Sequence, residues 1–365
     1  MKFRCERDVL ADALAAAGRA ATGRTGTLPV LSGVRLELTG DRLVVTGTDL
    51  DLTIQLELSV GGEADGAVVV PARLASDIVR ALGDPKVEVT ASDDEVEISA
   101  GRSRFSVRPL SLDDYPRLSS PAANSVTLPA AQFGEALRQV VRAASSDDAR
   151  PILTGVLLAS EGDGLRLVAT DSYRLAVRDL VGTSVLGHDQ KVLVPSRALQ
   201  ELQRLLGGEE EITLRLGERE ATFEVGTTRL TTRLIEGEFP PYRNLIPKAQ
   251  PNRLTVSREG LLGAVRRVRV VASDPSTPVR MSMSGEGLQL HATAQDVGNA
   301  AEELDAKYEG TELTVAFNPE YLLAGCDAAT GDEVTLETID SLKPALLRSI
   351  DSTDFLYLLM PVRVS

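Results

Sequence analysis

The stretch Leu28-Pro-Val-Leu-Ser-Gly-Val34 decides the fold of this chain, because a second copy, Arg150-Pro-Ile-Leu-Thr-Gly-Val156, lies 122 residues further on. Another block behaves in the same way, since Val68-Val-Val-Pro-Ala-Arg73 recurs 124 residues later as Val192-Leu-Val-Pro-Ser-Arg197. Blocks that recur in one order at nearly one spacing are typical of an internal repeat. The chain is therefore predicted to contain tandem copies of a unit of about 122 residues.

A third, fainter copy keeps the same step. Leu288-Gln-Leu-His-Ala-Thr293 lies 123 residues after Leu165-Arg-Leu-Val-Ala-Thr170. Val315-Ala-Phe-Asn-Pro319 likewise lies 123 residues after the block that begins at Val192. Because proline and small polar residues cluster between the copies, we predict three domains, which span residues 1–122, 126–250 and 253–365.

Each copy has the pattern of an α+β domain with two helices and about eight strands. In the second copy, Phe133, Leu137, Val140 and Val141 recur at helical spacing and predict a first helix. Alternating apolar residues between Gly and Asp turns predict the strands. A second helix is expected after each V-x-V-P block, because proline is tolerated where a helix begins. Two helices beside antiparallel strands in every copy indicate the α+β class.

Composition argues against several classes of protein. The 365 residues are 43% hydrophobic and 25% charged, as in ordinary globular proteins, and no apolar run reaches the length of a membrane span. The start, Met1-Lys-Phe-Arg4, lacks the apolar core of a secretory signal. Cys5 and Cys326 are the only cysteines and lie far apart, which argues against a disulfide scaffold or a zinc ribbon. A cytoplasmic protein without a membrane partner is expected.

The charge of the chain is acidic overall, yet its arginines recur at matching places. The net charge of −14 argues against a protein that grips nucleic acid from outside, because such proteins are usually basic. Arg73 and Arg80 are seven residues apart, on one side of a predicted helix, and Arg197 and Arg204 repeat this spacing. Further arginines on or after the first helices are Arg24, Arg138, Arg142, Arg150, Arg266 and Arg269.

This recurrence predicts a basic helical surface that binds DNA phosphates without reading the sequence. The alternative for any single arginine is an ordinary solvated helix face. The third copy departs from the pattern, because its second helix, predicted around Asn318-Pro-Glu-Tyr-Leu-Leu-Ala-Gly-Cys-Asp327, has no arginine. That helix is expected to contribute little to DNA contact.

Several motifs occur in a fixed order along the chain: Met1-Lys-Phe3, Thr27-Leu-Pro-Val-Leu31, Thr46-Gly-Thr-Asp49, Val70-Pro-Ala-Arg73, Gly101-Arg-Ser-Arg-Phe105, Ala169-Thr-Asp-Ser-Tyr-Arg-Leu-Ala176, Phe239-Pro-Pro-Tyr-Arg243 and Tyr357-Leu-Leu-Met-Pro-Val-Arg363. In these motifs the chain resembles the beta subunit of bacterial DNA polymerase III, the sliding clamp family, over all 365 residues. The resemblance implies a non-catalytic processivity factor. It implies a head-to-tail homodimer of three-domain chains that closes into a six-domain ring and slides on duplex DNA.

The resemblance also assigns roles to individual positions. The family's DNA-contact positions that match clearly here are Arg24, Gly66, Arg73, Arg150 and Arg204. The segment 150–153 lacks the tyrosines that some relatives have there, so a tyrosine contact with DNA is not expected. The family's dimer interface joins the first domain to the third domain of the other copy. By motif match it places Phe105 and Val107 opposite Val270 and Val271, with ordinary core packing as the alternative for all four.

Finally, the resemblance implies a peptide pocket between the second and third domains. There the alpha subunit of DNA polymerase III, the clamp loader, other polymerases and repair proteins would dock in turn through short linear motifs. An apolar groove with a few polar groups suits this role. The matching positions are Leu153, Thr170, Ser172, Tyr173, Arg174, Leu175, Pro240, Leu245, Asn318, Tyr321, Leu358, Met360, Pro361, Val362 and Arg363. Core packing is the alternative role for Leu153 and Leu175.

An enzyme is the rival class. His188 and His291 have no partner at nucleophile or metal-ligand spacing, and the sequence has neither a GK[ST] phosphate loop nor a GxGxxG motif. Asp49 and Asp171 recur in two copies, but Ala294 stands there in the third, so a turn explains them better. We therefore expect no catalytic residue, metal or cofactor. A second alternative is an acidic repeat scaffold that binds proteins without encircling DNA.

Overall fold

The computed structural model describes residues 1–22, 28–118, 121–183, 186–187, 190–272, 274 and 277–363. Within these residues the chain forms six α-helices and 26 β-strands, with four short 3-10 helices. Every repeat of the sequence contributes two of the helices and eight or nine of the described strands. This confirms the predicted α+β class and the predicted content of each copy.

The elements of the first copy are, in chain order, β1 Lys2–Glu6, α1 Arg7–Gly18, a 3-10 helix Pro29–Ser32, β2 Gly33–Thr39, β3 Arg42–Thr48, β4 Leu52–Ser59, β5 Gly61–Ala64, β6 Gly66–Pro71, α2 Ala72–Ala81, β7 Lys86–Ala91, β8 Val96–Ala100 and β9 Ser103–Val107.

The elements of the second copy are β10 Ser125–Pro129, α3 Ala130–Val140, 3-10 helices Val141–Ala143 and Pro151–Thr154, β11 Gly155–Glu161, β12 Gly164–Thr170, β13 Arg174–Leu180, β14 Lys191–Pro195, α4 Ser196–Leu205, β15 Glu211–Leu216, β16 Glu220–Val225, β17 Thr228–Arg233 and a 3-10 helix Tyr242–Leu245.

The elements of the third copy are β18 Asn252–Ser257, α5 Arg258–Val268, β19 Val279–Ser284, β20 Gly287–Ala294, β21 Gly298–Leu304, β22 Ala306–Glu309, β23 Leu313–Phe317, α6 Pro319–Ala328, β24 Glu333–Thr338, β25 Ala345–Ser349 and β26 Phe355–Leu359.

The chain divides into two compact units. The first comprises Met1–Ala131 with Glu201–Leu234, and the second comprises Gln132–Gln200 with Ile235–Ser365. The first unit contains a five-stranded sheet, β5-β1-β7-β8-β9, and an eight-stranded sheet, β10-β15-β16-β17-β4-β3-β2-β6. The second contains a nine-stranded sheet, β14-β11-β12-β13-β26-β25-β24-β18-β22, and a four-stranded sheet, β21-β20-β19-β23. The strands of the second repeat are therefore shared between the two larger sheets.

Burial follows the alternation of the strands. In the first unit, helix α1 packs Leu10 and Leu14 against Leu43 and Val45 of β3 in one apolar cluster. In the second unit, an apolar cluster gathers around Leu175 of β13 and neighbouring strands. Sheets with one face on the helices and one face open to solvent are expected for antiparallel α+β domains. No α-helix in the described part of the chain is long and apolar enough to span a membrane.

Candidate functional site

Helices α1 and α2 of the first unit flank a groove that carries three of the arginines. The groove has a volume of about 490 Å³, and Arg19, Arg73 and Arg80 line it beside Asp77. The Arg73 side chain is 97% exposed, with its Nε 3.8 Å from the Asp77 carboxylate. Such a weak, solvated ion pair leaves the guanidinium accessible to an anion. Arg73 and Arg80 thus lie on one exposed face, as their spacing predicts.

Helix α4 places Arg204 in a compact ion-pair cluster. Glu201 is 8% exposed and binds Arg204, and its other oxygen accepts a hydrogen bond of 2.5 Å from Arg19 Nε. The Arg204 side chain nevertheless remains 60% exposed, so it can still reach a phosphate. Arg197, at the start of the same helix, is only half-buried.

Arg138 of α3 does not lie on a free face, in contrast to the prediction from helical spacing. Its guanidinium donates to the main-chain carbonyls of Asp327 (2.6 Å) and Ala328 (3.0 Å), which end α6. It also binds Glu135 through two hydrogen bonds, of 2.8 and 2.6 Å. Every nitrogen of the guanidinium thus donates within the protein. Two of these bonds satisfy carbonyls at the C-terminal end of α6, which lack intrahelical donors. Arg138 therefore caps the end of α6, and its contact with DNA stays a prediction.

The other arginines of this group differ in how far they are engaged. Arg142 is exposed and pairs with the Asp327 carboxylate at 2.7 Å. Arg150 donates to Asp147 at 3.0 Å and to the Ser172 hydroxyl at 3.2 Å. Arg269 pairs with Glu320 of α6, whereas Arg266 is exposed on α5. Arg24 lies outside the described residues. Gly66 begins β6 with a φ of +152° beside Met1, a backbone conformation that favours glycine.

A tight turn organises the centre of the predicted peptide pocket in the second unit. The Asp171 carboxylate accepts hydrogen bonds from the backbone N–H groups of Tyr173 (2.9 Å) and Arg174 (3.0 Å) and from Arg174 Nε (3.0 Å). Ser172 adopts a φ of +82° in this turn, and its N–H donates to the Thr170 hydroxyl at 3.1 Å. Asp171 is only 7% exposed. The turn is thus fixed by a buried, fully engaged carboxylate.

The first unit repeats this turn residue by residue. Asp49 accepts from the N–H groups of Asp51 (3.2 Å) and Leu52 (2.8 Å), and Leu50 has a φ of +79°. The N–H of Leu50 donates to the Thr48 hydroxyl at 3.1 Å. This agrees with the interpretation of the recurring aspartates as turn residues. The two turns differ in one respect, because Leu52 stands where the second unit has an arginine.

Above this turn, Arg174 links three parts of the second unit. Its guanidinium carbon lies 4.5 Å from the centre of the Tyr321 ring on α6, a cation–π contact. Its side chain is 15% exposed. Burial opposes the charged form of Arg174, but Tyr357 and Asp171 outweigh it and raise the pKa of the guanidinium. Burial first, and then Asp171, raises the pKa of Tyr321. The guanidinium of Arg174 therefore stays positively charged beside the Asp171 carboxylate.

Strand β26 and the residues after it lie beside the Asp171 turn. Strand β26 pairs with β13, with Leu358 opposite Leu175. The Met360 N–H donates to the Tyr173 carbonyl at 2.9 Å, and the Val362 N–H donates to Ala316 at 2.8 Å. The segment around Met360 and Val362 is thus held by backbone hydrogen bonds next to the turn.

Exposure separates the predicted pocket residues into a floor and a rim. Leu153, Leu175 and Leu358 are 8%, 1% and 2% exposed, so their side chains belong to the core. Tyr173, Leu245 and Met360 are exposed at 59%, 49% and 36%. Pro240, Pro361 and Val362 are half-buried, and Arg363 is exposed. Asn318 instead caps α6, where its side chain accepts from the N–H of Glu320 at 2.8 Å. Large exposed apolar groups above an apolar floor suit a peptide groove.

The first unit has a related crevice that is polar. Thr53, Thr231, Arg117 and Arg233 line a volume of about 250 Å³, with Asp51 3.7 Å from Arg233. The crevice lies between the turn and the end of β17, the elements that correspond to the turn and β26 in the second unit. The positions of Thr53, Thr231 and Arg233 correspond to Leu175, Leu358 and Met360. Polar side chains there would not anchor an apolar peptide.

The predicted interface residues also separate by exposure. Phe105 on β9 is 40% exposed, although it lies opposite the buried Ile98 on the core side of its hairpin. Val107 is 4% exposed and belongs to the core cluster of the first unit, so its side chain is not available to a partner. Val270 is 75% exposed and Val271 is half-buried. Val107 thus packs in the core beside Val96 of β8, which was the alternative to an interface role.

Sequence reasoning recognised Asp171 as a turn residue but missed its contact with Arg174. The repeat itself held the signal, since only one of the two Thr-Asp turns is followed by an arginine. His291 lies on β20 with Gln289 as its nearest polar neighbour, at 3.5 Å. His188 lies outside the described residues. Among the described residues, no group of three or more His, Cys, Asp or Glu side chains could hold a metal ion.

Comparisons with known proteins agree along the whole chain. Family models of the N-terminal, central and C-terminal domains of the DNA polymerase III beta subunit match residues 1–119, 127–241 and 243–363. A beta sliding clamp of Streptomyces coelicolor is 36% identical, with all of both chains covered. The crystal structure of a sliding clamp from Bartonella birtlesii bound to griselimycin has a TM-score of 0.93 at 31% identity, covering 100% of both chains. The sliding clamp of Bacillus subtilis has a TM-score of 0.92 at 27% identity, again covering 100% of both chains.

Proposed function

The chain belongs to the DNA polymerase III beta subunit family, whose members are sliding clamps and processivity factors, and from this premise we propose that two copies close into a ring around duplex DNA. The three sequence repeats, 1–122, 126–250 and 253–365, are the proposed domains, six in the dimer. The ring itself would act without catalysis, as an accessory that keeps a polymerase on its template. Two junctions between repeats within the chain support the way in which the ring would close.

At each internal junction, the last strand of one repeat pairs with the hairpin strand of another. In the first unit β17 pairs antiparallel with β4, and Leu230 lies opposite Ile54. In the second unit β26 pairs antiparallel with β13, and Tyr357 lies opposite Ala176. The corresponding strands that remain are β9 and β21. Both end their sheets within the described residues, so each has an unpaired edge.

The hairpin registers carry this pairing over to β9 and β21. Phe105 lies opposite Ile98 in its hairpin, and Leu230 takes the equivalent position opposite Phe223. Ala300 of β21 lies opposite Ala292, and Ala176 of β13 lies opposite Ala169, so Ala300 and Ala176 occupy equivalent positions. Pairing of β9 with β21 of a second copy would therefore set Phe105 opposite Ala300. The five-stranded and four-stranded sheets would then join into one of nine strands, like the larger sheet of the second unit.

The charges of the two edges are complementary. Strand β9 and its flanks carry Arg102, Arg104 and Arg108, and β21 carries Glu302 and Glu303. Opposite charges on neighbouring strands stabilise a pair and suppress wrong partners. A heterologous contact of this kind closes into a ring only if the rotation returns to its start, which two copies of three domains would satisfy.

DNA would pass the arginines on and next to the helices. The proposed contacts are Arg24, Gly66, Arg73, Arg80, Arg142, Arg150, Arg197, Arg204 and Arg269. Arginine forks bind phosphates without reading bases, and the affinity falls as salt rises. The overall charge of −14 is compatible with this role, because charges separated by more than about 8 Å are largely screened at physiological salt.

Partner proteins would dock on the apolar groove of the second unit. We assign the rim to Tyr173, Leu245 and Met360, with Pro240, Tyr321, Pro361, Val362 and Arg363 around it. Partners would be the polymerase III alpha subunit, the clamp loader, other polymerases and repair proteins, through short apolar peptides. Deletion of residues 360–365 is expected to abolish binding of such a peptide and to leave loading of the ring on DNA intact. Normal peptide affinity after this deletion would show that the groove is assigned wrongly.

The pair of unpaired edges, β9 and β21, is the observation that carries the ring. A loading assay tests it: the protein is placed on nicked circular DNA by a clamp loader, and the DNA is then linearised. A ring stays on the circle and is lost from the ends. A scaffold that does not encircle DNA never loads, and a protein that grips DNA from outside stays on both forms.

A further inference from the structure

Two side chains of α3 complete the end of α6 in the second unit. The carbonyls of Asp327 and Ala328, in the last turn of α6, accept hydrogen bonds of 2.6 and 3.0 Å from Arg138. Gln139 donates to the Ala328 carbonyl as well, at 2.9 Å. A cation at this position neutralises the negative end of the helix dipole and satisfies carbonyls that lack an intrahelical donor. The first helix of the second repeat therefore caps the second helix of the third.

The repeat identifies the residues that correspond to this cap elsewhere. Helices α1, α3 and α5 begin at Arg7, Ala130 and Arg258, so the ninth residue of each is Ala15, Arg138 or Arg266. Helices α2, α4 and α6 each have ten residues and end at Ala81, Leu205 and Ala328. In α2, the carbonyls equivalent to the capped pair of α6 are therefore those of Arg80 and Ala81.

The contact between the first and second repeats uses different chemistry. Ala15 stands at the cap position of α1 and has no donor to offer. Arg19, at the C-terminal end of α1, instead binds the buried Glu201 of α4 at 2.5 Å. Both internal junctions therefore join the first helix of one repeat to the second helix of the next through an arginine. Helix α5, the first helix of the third repeat, carries Arg266 at the cap position, and no second helix of another repeat is described beside it.

Arg266 is the group left over. It is exposed on α5, and the structure gives it no hydrogen bond or ion pair within the described residues. We propose that Arg266 donates to the carbonyls of Arg80 and Ala81 at the end of α2 in a second copy of this chain. This rests on the ring proposed above, because only the head-to-tail dimer places α5 of one copy beside α2 of another. Arg266 is then a positioning residue of the closed ring, not a DNA contact.

The neighbouring positions fit this assignment. Arg142, which pairs with Asp327, corresponds to Val270 just after α5, and Asp327 corresponds to Arg80 on α2. An apolar side chain opposite an arginine avoids the repulsion that a second cation would cause there. Val270 is 75% exposed in the single chain and would be covered in the dimer.

The test compares the dimer dissociation constants of Arg266→Ala and the unchanged protein, by sedimentation velocity over a dilution series. Loss of a charged donor from two carbonyls is worth about a factor of ten at each contact, and the ring contains two, so the constant should rise on the order of a hundredfold. Arg266→Lys keeps the charge but not the fork, and should give a smaller increase. Arg138→Ala removes the same cap inside the chain, and should lower thermal stability without changing the dimer constant.

Three outcomes separate the claims. An unchanged protein that stays monomeric at all concentrations contradicts the ring, and the cap proposal with it. A dimer constant that Arg266→Ala leaves within twofold, with normal dimerisation of the unchanged protein, overturns the cap alone. Weaker dimerisation with an unchanged thermal midpoint of the monomer supports it, because Arg266 has no described hydrogen bond or ion pair within its own copy.

Discussion

Replacement of Asp171 separates the structural role of the recurring turn from its role in the peptide groove. The carboxylate fixes two backbone N–H groups and the Nε of Arg174, all within 3.0 Å. Its side chain is 10% exposed, and that of Arg174 is 15% exposed. In Asp171→Ala the buried guanidinium would lose its carboxylate, and the position of Arg174 over the Tyr321 ring would no longer be fixed.

The size of the effect follows from burial. Breaking a buried ion pair from one side costs about 3–5 kcal/mol, so Asp171→Ala should lower the free energy of unfolding by about 4 kcal/mol. Asp171→Asn keeps an acceptor for the backbone N–H groups and removes only the charge, so about 1.5 kcal/mol is expected. Because the stacked arginine would form part of the wall of the proposed groove, the dissociation constant for a polymerase peptide should rise about tenfold in Asp171→Asn.

The first unit supplies the matched control. Asp49 forms the same turn, with Leu52 in place of the arginine. Asp49→Asn should leave peptide affinity unchanged and lower stability by less than about 1 kcal/mol. Urea unfolding and fluorescence anisotropy of a labelled peptide measure the two quantities. Equal effects of Asp49→Asn and Asp171→Asn on peptide affinity would refute the reasoning, since the turn alone would then account for the groove.

Four further substitutions test individual side-chain contacts. Arg138→Ala should lower the free energy of unfolding by about 2 kcal/mol and leave loading of the ring on DNA unchanged; weaker loading with normal stability would instead support the DNA contact predicted for Arg138. Phe105→Ala should raise the dimer dissociation constant on the order of a hundredfold with little change in monomer stability, whereas Val107→Ala should cost about 2 kcal/mol of folding stability; the reverse pattern in sedimentation and urea unfolding would contradict the burial of Val107. Gly325→Ala would place a Cβ 2.6 Å from the Tyr357 ring, so a thermal midpoint several degrees lower is expected, and an unchanged midpoint would show that the contact relaxes freely.

The fold was predictable because the repeat amplified weak signals. The Val68–Arg73 and Val192–Arg197 blocks each proved to be a strand that runs into a helix, and both Thr-Asp pairs proved to be turns after a strand. Each of these patterns is ambiguous alone. Their recurrence at one spacing gave the α+β class and the two helices per copy. Which strands of the second repeat join which sheet was not predictable, because that depends on pairing between distant segments.

The roles of individual arginines were less predictable, for a physical reason. Arg73 and Arg138 both lie on amphipathic helices, away from the apolar stripe. Helical spacing indicates which face a side chain takes, and it does not indicate what packs above that face. The end of α6 lies above Arg138, and solvent lies above Arg73. For Val107, core packing was the alternative to an interface role, and the burial of its side chain became evident only in the structure.

The groove shows a similar division. Leu175 and Leu358 were assigned to it from the resemblance, and alternation along β13 and β26 directs both side chains into the core. The exposed residues Tyr173, Leu245 and Met360 would have been hard to select by pattern, because exposure of large apolar side chains is a property of the assembled surface.

A ring locked by a disulfide bond tests the central claim most directly. The repeat-derived register sets Ser103 opposite Glu302 of the second copy, the equivalent of Thr228 and Leu56. The next pair along, Glu57 and Thr227, is hydrogen-bonded, because the Glu57 N–H donates to the Thr227 carbonyl at 3.0 Å. Since hydrogen-bonded and non-hydrogen-bonded pairs alternate, Thr228 and Leu56 form a non-hydrogen-bonded pair, whose closer Cα atoms suit a disulfide. Burial raises the pKa of the native thiols, Cys5 and Cys326, to about 12, which disfavours their reactive thiolate forms.

The measurement is retention of the oxidised Ser103→Cys, Glu302→Cys protein on circular DNA in denaturing detergent. Circular DNA should keep a covalently closed dimer until the DNA is cut or the disulfide is reduced. Ser103→Cys with Ala301→Cys, shifted by one residue to the opposite face, should form no such link. Release of the oxidised dimer from intact circles, or equal crosslinking of the shifted pair, would contradict a ring closed through β9 and β21.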